Sequence, residues 1–443
     1  MPRFRGAFLC PKFTRIYSLH MTPFDAFLEC GVVTTDTRDI IPGSVFFALK
    51  GANFNGNDFA LEALAQGASY AVVDEVMDQD IRIIHVSDVL EALQFCAKSW
   101  RSHLNIPVFG LTGSNGKTTN KELMHAVLST KYKTHATFGN LNNHLGVPLT
   151  LLSMTKDTEI AIIEMGANHQ QEIALLASIS QPTIGYITNY GKAHMEGFGG
   201  LEGIIKGKSE LYDFAFEHQA KVMVNFDDPL QSEKTKDHNR FGFGHDQGGV
   251  TWKSTSIDEF ASIKLEIKGK STSIKSQLSG HFNESNLAAA ATIGLYFDVP
   301  LKDVKTALET YVPSMNRVEW RKSDYNTVLM DAYNANPTSM SLSIQSFGQW
   351  HKTGIMILGD MFELGESSKV EHEGIVREVI HMGMAENCIL IGEHFSDCDF
   401  EGLKFKTAQH LIEFWQKKGA PKDASILLKG SRGIALERLL PHL

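Results

Sequence analysis

Cysteine is scarce in this chain: there are five among 443 residues (Cys10, Cys30, Cys96, Cys388 and Cys398), and no two form a C-x-x-C pair. An odd, scattered set excludes a disulfide framework, offers no zinc-ligand spacing and fits a reducing cytoplasm. Long apolar runs are missing too, for no uncharged stretch approaches the ~20 residues a bilayer-spanning helix needs. There is no basic excess either, since the net charge is −9. That balance leaves no electrostatic footprint for nucleic acid, so a phosphate-bearing partner must be met by local cationic sites. Low complexity and short-period repeats are absent. Met1–His20 is basic and free of acids, yet it has neither the continuous apolar segment nor the cleavage site of a secretory signal. It reads as a disordered extension, or as the product of an upstream start codon with the folded chain beginning near Met21.

What is present centres on Gly110-Leu-Thr-Gly-Ser-Asn-Gly-Lys-Thr-Thr119. Ile106, Val108, Phe109 and Leu111 before it read as a buried parallel strand, and Leu123, Met124, Val127 and Leu128 after it recur at helical spacing. Between them Gly113, Ser114, Asn115 and Gly116 can gather backbone N–H groups around phosphate oxygens, with the positive end of the new helix behind them. Lys117 would neutralise the β and γ phosphates, Thr118 would offer a hydroxyl to Mg²⁺, and Thr119 completes the loop. One position departs from the standard phosphate-loop pattern: Leu111 stands where glycine is usual. The strand-loop-helix context outweighs it, and the chain reads as a nucleoside-triphosphate binder.

Length predicts about three domains, and the pattern divides into α/β blocks at 21–103, 104–312 and 313–443. The first alternates short strands (Ser44–Leu49, Tyr70–Val73, Ile81–Val86) with helices. The second has strands at Ile160–Ile163, Thr183–Thr188 and Lys221–Val224 with helices between, which indicates a parallel sheet. Its stretch Val250–Ser279 alternates like antiparallel strands. The third places strands at Val328–Met330, Gly354–Leu358, Cys388–Ile391 and Ser425–Leu428.

In the middle block the run Ile160-Ala-Ile-Ile-Glu164 ends a buried strand in a carboxylate, where α/β ligands collect. Beside a phosphate loop, Glu164 reads as a Mg²⁺ ligand rather than a surface acid. His194 follows the next strand as either a second metal ligand or an ordinary loop histidine. Lys206 and Lys208 lie on a predicted helix Leu201–Phe214, and periodicity alone makes both a solvated face. Asn283 and Asn286, three apart, share a helical face and could meet a purine edge or simply cap the helix.

Together these strings resemble the Mur ligases of bacterial cell-wall synthesis, over nearly everything from Thr34 onward. Thr35-Asp-Thr-Arg38 and Pro42–Gly51 are similar to the family's UDP-binding first domain, and Gly139–Pro148 to its central substrate loop. Asp331-Ala-Tyr-Asn-Ala-Asn-Pro-Thr-Ser-Met340, Leu358–Gly365 and Lys429-Gly-Ser-Arg432 resemble the branch that adds D-alanyl-D-alanine. The Asp-Asn-Pro-Arg string of diaminopimelate-adding members is absent.

The resemblance implies a central phosphate-loop domain and a Rossmann-like C-terminal domain. It also implies an amide ligation: ATP phosphorylates the carboxylate of UDP-MurNAc-tripeptide, and the amine of D-Ala-D-Ala attacks the acyl phosphate. By the same resemblance two Mg²⁺ ions take part. Thr118 and Glu164 would hold one, His194 would help hold the second, and Lys208 matches a lysine that relatives carry as a carbamate. Lys117, Glu164, His194 and Lys208 would then form the catalytic set. Asn283 and Asn286 match adenine-side positions, Arg317 a phosphate-contacting arginine, and Asp331 a ribose-contacting acid. Thr37, Arg38, Gly51, Asn140, Asn142, Asn143, Asn334, Asn336, Lys429, Ser431 and Arg432 match substrate positions. The family implies a monomer.

Met330, Ala332, Tyr190 and Asn168–Glu172 depart from the usual pattern. A sister amide ligase, including a folate-glutamating one, is the nearest rival reading, separated by assaying acceptors. A non-catalytic nucleotide-gated module is the rival of another class, and it would have no use for a metal-bridging set.

Overall fold

The computed structural model describes residues 21–76, 80–313 and 317–443. Met1–His20, read above as an extension, lies outside them. Two compact units divide the chain, 1–96 and 97–443.

In the first, strands Val33–Thr34, Val45–Phe47, Tyr70–Val73 and Ile83–His85 form a parallel sheet in that order. The helix Pro23–Cys30 starts at a reciprocal capping pair of Thr22 and Asp25 and stops at Gly31, whose φ of 73° only glycine adopts freely. Phe46, Ala63, Leu64, Ala71 and Val73 fill the space under the sheet.

Among the described residues the second unit carries two sheets. The larger has nine strands, in the order Lys270–Ser279, Phe260–Ile267, Val250–Ser254, Arg240–Gly244, Lys221–Asn225, Ile184–Ile187, Val108–Thr112, Ile160–Glu164 and Thr134–Ala136. The first two strands in that order pair antiparallel and join through Lys268-Gly269, both at positive φ (46° and 76°), as a two-residue type I′ hairpin turn requires. The strands from Val250–Ser254 to Thr134–Ala136 pair parallel. The smaller sheet runs Glu319–Lys322, Thr327–Asp331, Ser425–Lys429, Ile355–Gly359, Cys388–Ile391 and Leu403–Phe405, parallel apart from its first pair.

Parallel register is what gathers the chemistry. Leu111 pairs with Glu164 and Thr112 with Ile187, so three strands end together and release their loops on one side. Behind them the helix Lys117–Leu128 packs on the helix Glu284–Tyr296, whose buried run Ala288–Ala291 keeps side chains thin. At Gly294 a Cβ would meet Val127 Cγ1 at 2.3 Å, so the two backbones are closer than any larger residue would allow there.

Candidate active site

The phosphate loop leaves its strand at Gly113 with φ 145°, and a Cβ there would lie 1.9 Å from Thr188 Oγ1. Gly116, at φ 78°, precedes the helix that begins at Lys117. The loop is braced by its neighbour strand end. Ser114 Oγ donates to Gly191 O (2.5 Å), Asn115 N to Asn189 Oδ1 (3.1 Å), and Thr188 Oγ1 to Asn115 O (2.6 Å). Lys117 folds over the loop, its ammonium donating to Gly113 O (2.6 Å) and Ser114 O (3.2 Å). Burial pushes its pKa down; the Glu164 carboxylate opposes that shift and the Arg317 guanidinium adds to it.

Glu164 is 2 % exposed, so the strand-end acid is not on the surface. Its Oε1 accepts from Thr118 Oγ1 (3.2 Å) and Asn142 Nδ2 (2.8 Å). Its Oε2 is buried with no hydrogen-bond partner, and the Lys121 ammonium stands 3.9 Å away. A buried carboxylate oxygen with no donor, next to a hydroxyl and a phosphate loop, suits a hard divalent cation. Among the described residues no three His, Cys, Asp or Glu side chains gather to hold a metal unaided.

His194 stands at the start of the short helix Met195–Phe198 with its ring against the Glu363 carboxylate. That contact holds the Glu363 carboxyl below its usual range, burial opposing it.

Lys208 corrects the periodicity reading: Lys206 is exposed, but Lys208 is completely buried. It turns inward because Gly207 beside it leaves room for the Phe198 ring, over which the ammonium lies at 4.8 Å. The ammonium donates to Ala167 O at 3.2 Å. Burial, reinforced by the nearby Lys117 charge, drives its pKa well below that of an ordinary lysine.

Asn283 does not cap its helix; its amide donates to Ser279 O (2.8 Å). Asn286 donates to Asn283 Oδ1 (2.8 Å) and accepts from Asn120 (2.7 Å), which also reaches Gly116 O (2.9 Å). This chain of amides ties the helix start to the phosphate loop. Asn120, Thr188 and Asn189 were not singled out from sequence. The strand-end rule points to the last two, whereas Asn120 meets a partner 166 positions away that no spacing reveals.

The smaller sheet brings its residues to the same place. Asp331 is paired with Lys429 (2.9 Å) and accepts from Ser343 Oγ (2.6 Å), while Lys429 also donates to Asn334 O. Asn336 caps the helix Pro337–Trp350 through Ser339 N, and its amide donates to Asn115 Oδ1 of the phosphate loop at 2.7 Å. Arg317 stacks 3.6 Å from the centre of Tyr333, a ring that no spacing in the sequence marks out.

A cavity of about 1220 Å³ joins these groups. Its lining includes Ser114 to Thr119, Asn140, Asn142, Asn143, Glu164, His194, Asn283, Asn286, Arg317, Asp331, Asn334, Asn336 and Lys429. Lys208 stays behind the wall, bonded to cavity-lining Ala167. Ser431 and Arg432 are off the lining: Ser431 Oγ accepts from Phe362 N (3.1 Å), and Arg432 lies 5.8 Å from the Tyr333 ring centre. Thr37, Arg38 and Gly51 belong to the first unit. Arg38 clasps the Asp36 carboxylate (2.6 Å), which lowers the Asp36 pKa to about 2, and Gly51 lies against the Phe54 ring.

Comparison with known proteins decides the family. A Bacillus subtilis UDP-N-acetylmuramoyl-tripeptide–D-alanyl-D-alanine ligase is 33% identical over 425 residues, 93% of this chain and 92% of that protein. The chain is a Mur ligase. The Escherichia coli enzyme of the same name is 32% identical, with 92% of each covered. Family models match too: the Mur ligase middle domain at 111–294, the Mur ligase glutamate ligase domain at 316–432, and the Mur ligase family catalytic domain at 29–101. Crystal structure I of MurF from Acinetobacter baumannii superposes with a TM-score of 0.84 at 32% identity, covering 92% of each chain. MurF from Thermotoga maritima in complex with ADP gives 0.82 at 26% identity, covering 93% of this ligase and 97% of that one. The ligase therefore has the family's three-part α/β architecture.

Proposed function

We propose that this Mur ligase joins D-alanyl-D-alanine to UDP-MurNAc-tripeptide, with cleavage of ATP to ADP and phosphate. A free carboxylate is a poor electrophile, and phosphorylation turns one of its oxygens into a leaving group for the dipeptide amine. The observation that carries the reading is Asn336 donating to Asn115. It brings the Asp331–Met340 segment, which resembles that of dipeptide-adding relatives, against the phosphate loop at one shared cavity.

The ligase's own groups divide the work. Gly113 to Thr119 cradle the triphosphate, and Lys117 swings from its loop carbonyls to the phosphates. Asn283 and Asn286 take the adenine side, Arg317 a phosphate and Asp331 the ribose. Thr118 and Glu164 would hold one Mg²⁺ and His194, oriented by Glu363, would help hold a second. When bound, the ions offset the repulsion between the anionic carboxylate and the γ-phosphate.

Lys208 carries a carbamate in this reading. Burial lowers the Lys208 pKa and so favours the neutral amine, whose nitrogen lone pair attacks CO₂, releasing a proton and leaving a carboxylate-like group. Asn140, Asn142, Asn143, Asn334, Asn336, Lys429, Ser431 and Arg432 position the peptide substrates. Thr37, Arg38 and Gly51, in the first unit, meet the UDP end, where the exposed Arg38 guanidinium suits a diphosphate. This division follows the blocks 21–103, 104–312 and 313–443. The reaction runs in the cytoplasm, a reading supported by free Cys30, Cys96, Cys388 and Cys398, and the resemblance to the family suggests a monomer. Among the described residues no helix is long and apolar enough to cross a membrane.

Phosphate release from ATP tests the proposal. It should require UDP-MurNAc-tripeptide and D-Ala-D-Ala together, and release that ignores the dipeptide would sink it.

A further inference from the structure

The segment Thr188–Glu196 faces two ways. On one side it holds the phosphate loop through Thr188, Asn189 and Gly191, as described above. On the other it meets the part of the ligase built on the smaller sheet. Lys192 N donates to Thr338 Oγ1 (3.2 Å), Lys192 Nζ to Glu371 Oε1 (2.6 Å), and Glu196 N to Glu363 O (3.2 Å). Thr338 lies on the helix Asn336 caps, and Glu371 on the helix Ser368–His381. The Glu371 side chain is only 16 % exposed, against 45 % for Lys192.

We propose that Lys192 is a positioning residue. Its ion pair with Glu371 sets the register between the phosphate loop and the segment that presents the acceptor. Lys192 does not line the cavity, so it acts through that register and not through substrate. A half-exposed pair adds little net stability. Charge pairs do select one alignment of two surfaces over others. Amide formation depends on that alignment, because an attacking amine must come within roughly 3–3.5 Å of the acyl carbon. The inference rests on the proposed reaction for its kinetic readout only.

The test compares the full-length wild type, Lys192→Glu, Glu371→Lys and the double exchange. Each single reversal should lower kcat/KM for D-Ala-D-Ala about 10-fold. ADP affinity by calorimetry should stay near wild type, since no loop contact to phosphate changes. The double exchange should recover to within about threefold, because the pair is restored with its signs swapped. Unchanged kcat/KM in both reversals, or a double exchange as poor as the two losses multiplied, would overturn the clasp. If a reversal fails to fold, Lys192→Gln removes attraction without adding repulsion and should still lose about threefold; a wild-type value there also overturns it. Hydrogen exchange over 336–340 and 363–372 reads the seam without turnover. It should rise in the reversals and fall back in the exchange, and no rise would refute the clasp. A wild type inactive on these substrates therefore removes the proposed reaction while exchange still decides the clasp.

Discussion

Two lysines separate what charge and burial do at this site. Lys117 already bonds to the loop that would receive phosphate. Lys117→Ala should lower turnover by on the order of 10²-fold or more, as loss of one preorganised charge does. Its melting temperature should stay near wild type, because no packed core is removed; near-normal phosphate release would refute the loop assignment. Lys208 is the more demanding case, because a fully buried ammonium with one carbonyl acceptor is poorly solvated. Lys208→Ala should abolish turnover, and formate should restore part of it by placing a small carboxylate in the vacated space. High-resolution density on the wild type should show three extra heavy atoms on the nitrogen. An active Lys208→Ala enzyme, or a bare amine under bicarbonate, would rule the carbamate out. Helical periodicity reads Lys208 as solvent-facing because it weighs residue type and spacing. It cannot see that Gly207 admits Phe198 and so opens an interior place for the long side chain.

Elements were legible wherever a single apolar run sets them. The expected strand before the phosphate loop is Val108–Thr112, and Leu123, Met124, Val127 and Leu128 are all buried as the helical spacing requires. Tyr70–Val73 and Cys388–Ile391 match to the residue. Thr134–Ala136 and Arg240–Gly244 escape the sequence pattern, being short or interrupted by glycine, and the ladders with Ile160–Glu164 and Lys221–Asn225 hold them as strands. The candidate site divides the same way. Its loops are written in contiguous motifs, but the Asn120–Asn286 and Asn115–Asn336 bonds join positions far apart in the chain.

The turn after Ile355–Gly359 gives a pH prediction. His372, fully buried on the helix Ser368–His381, accepts from Met361 N (3.0 Å) through Nε2 and donates to Ser368 O through Nδ1. Burial lowers its pKa; the Ser368 carbonyl and Asp360 partly oppose that, and His394 adds to it. The folded state thus favours the neutral ring. Its contribution is full above the unfolded value of about 6.5 and is lost as pH falls through the lower folded value. Urea midpoints should fall between pH 7.5 and 5.5, and His372→Gln should flatten that dependence; an equal slope in the variant would count against it.

At the scale of the whole molecule, the cavity draws on both sheets of the second unit, so ligand binding should stabilise both together. At 100 times its dissociation constant, a non-hydrolysable ATP analogue should add about 2.7 kcal/mol. Calorimetry should show the corresponding rise in melting temperature, reduced in Lys117→Ala. An unshifted transition at saturation would mean that the nucleotide does not favour the folded second unit.

The hairpin at the sheet's edge offers something different. Its Lys268-Gly269 tip joins the strand Phe260–Ile267 to the edge strand, six places across the sheet from Val108–Thr112, and neither residue borders the cavity. A short epitope or a single dye-bearing cysteine can be grafted there. The ligase could then be tethered to a surface or followed by fluorescence with its chemistry left open to substrates.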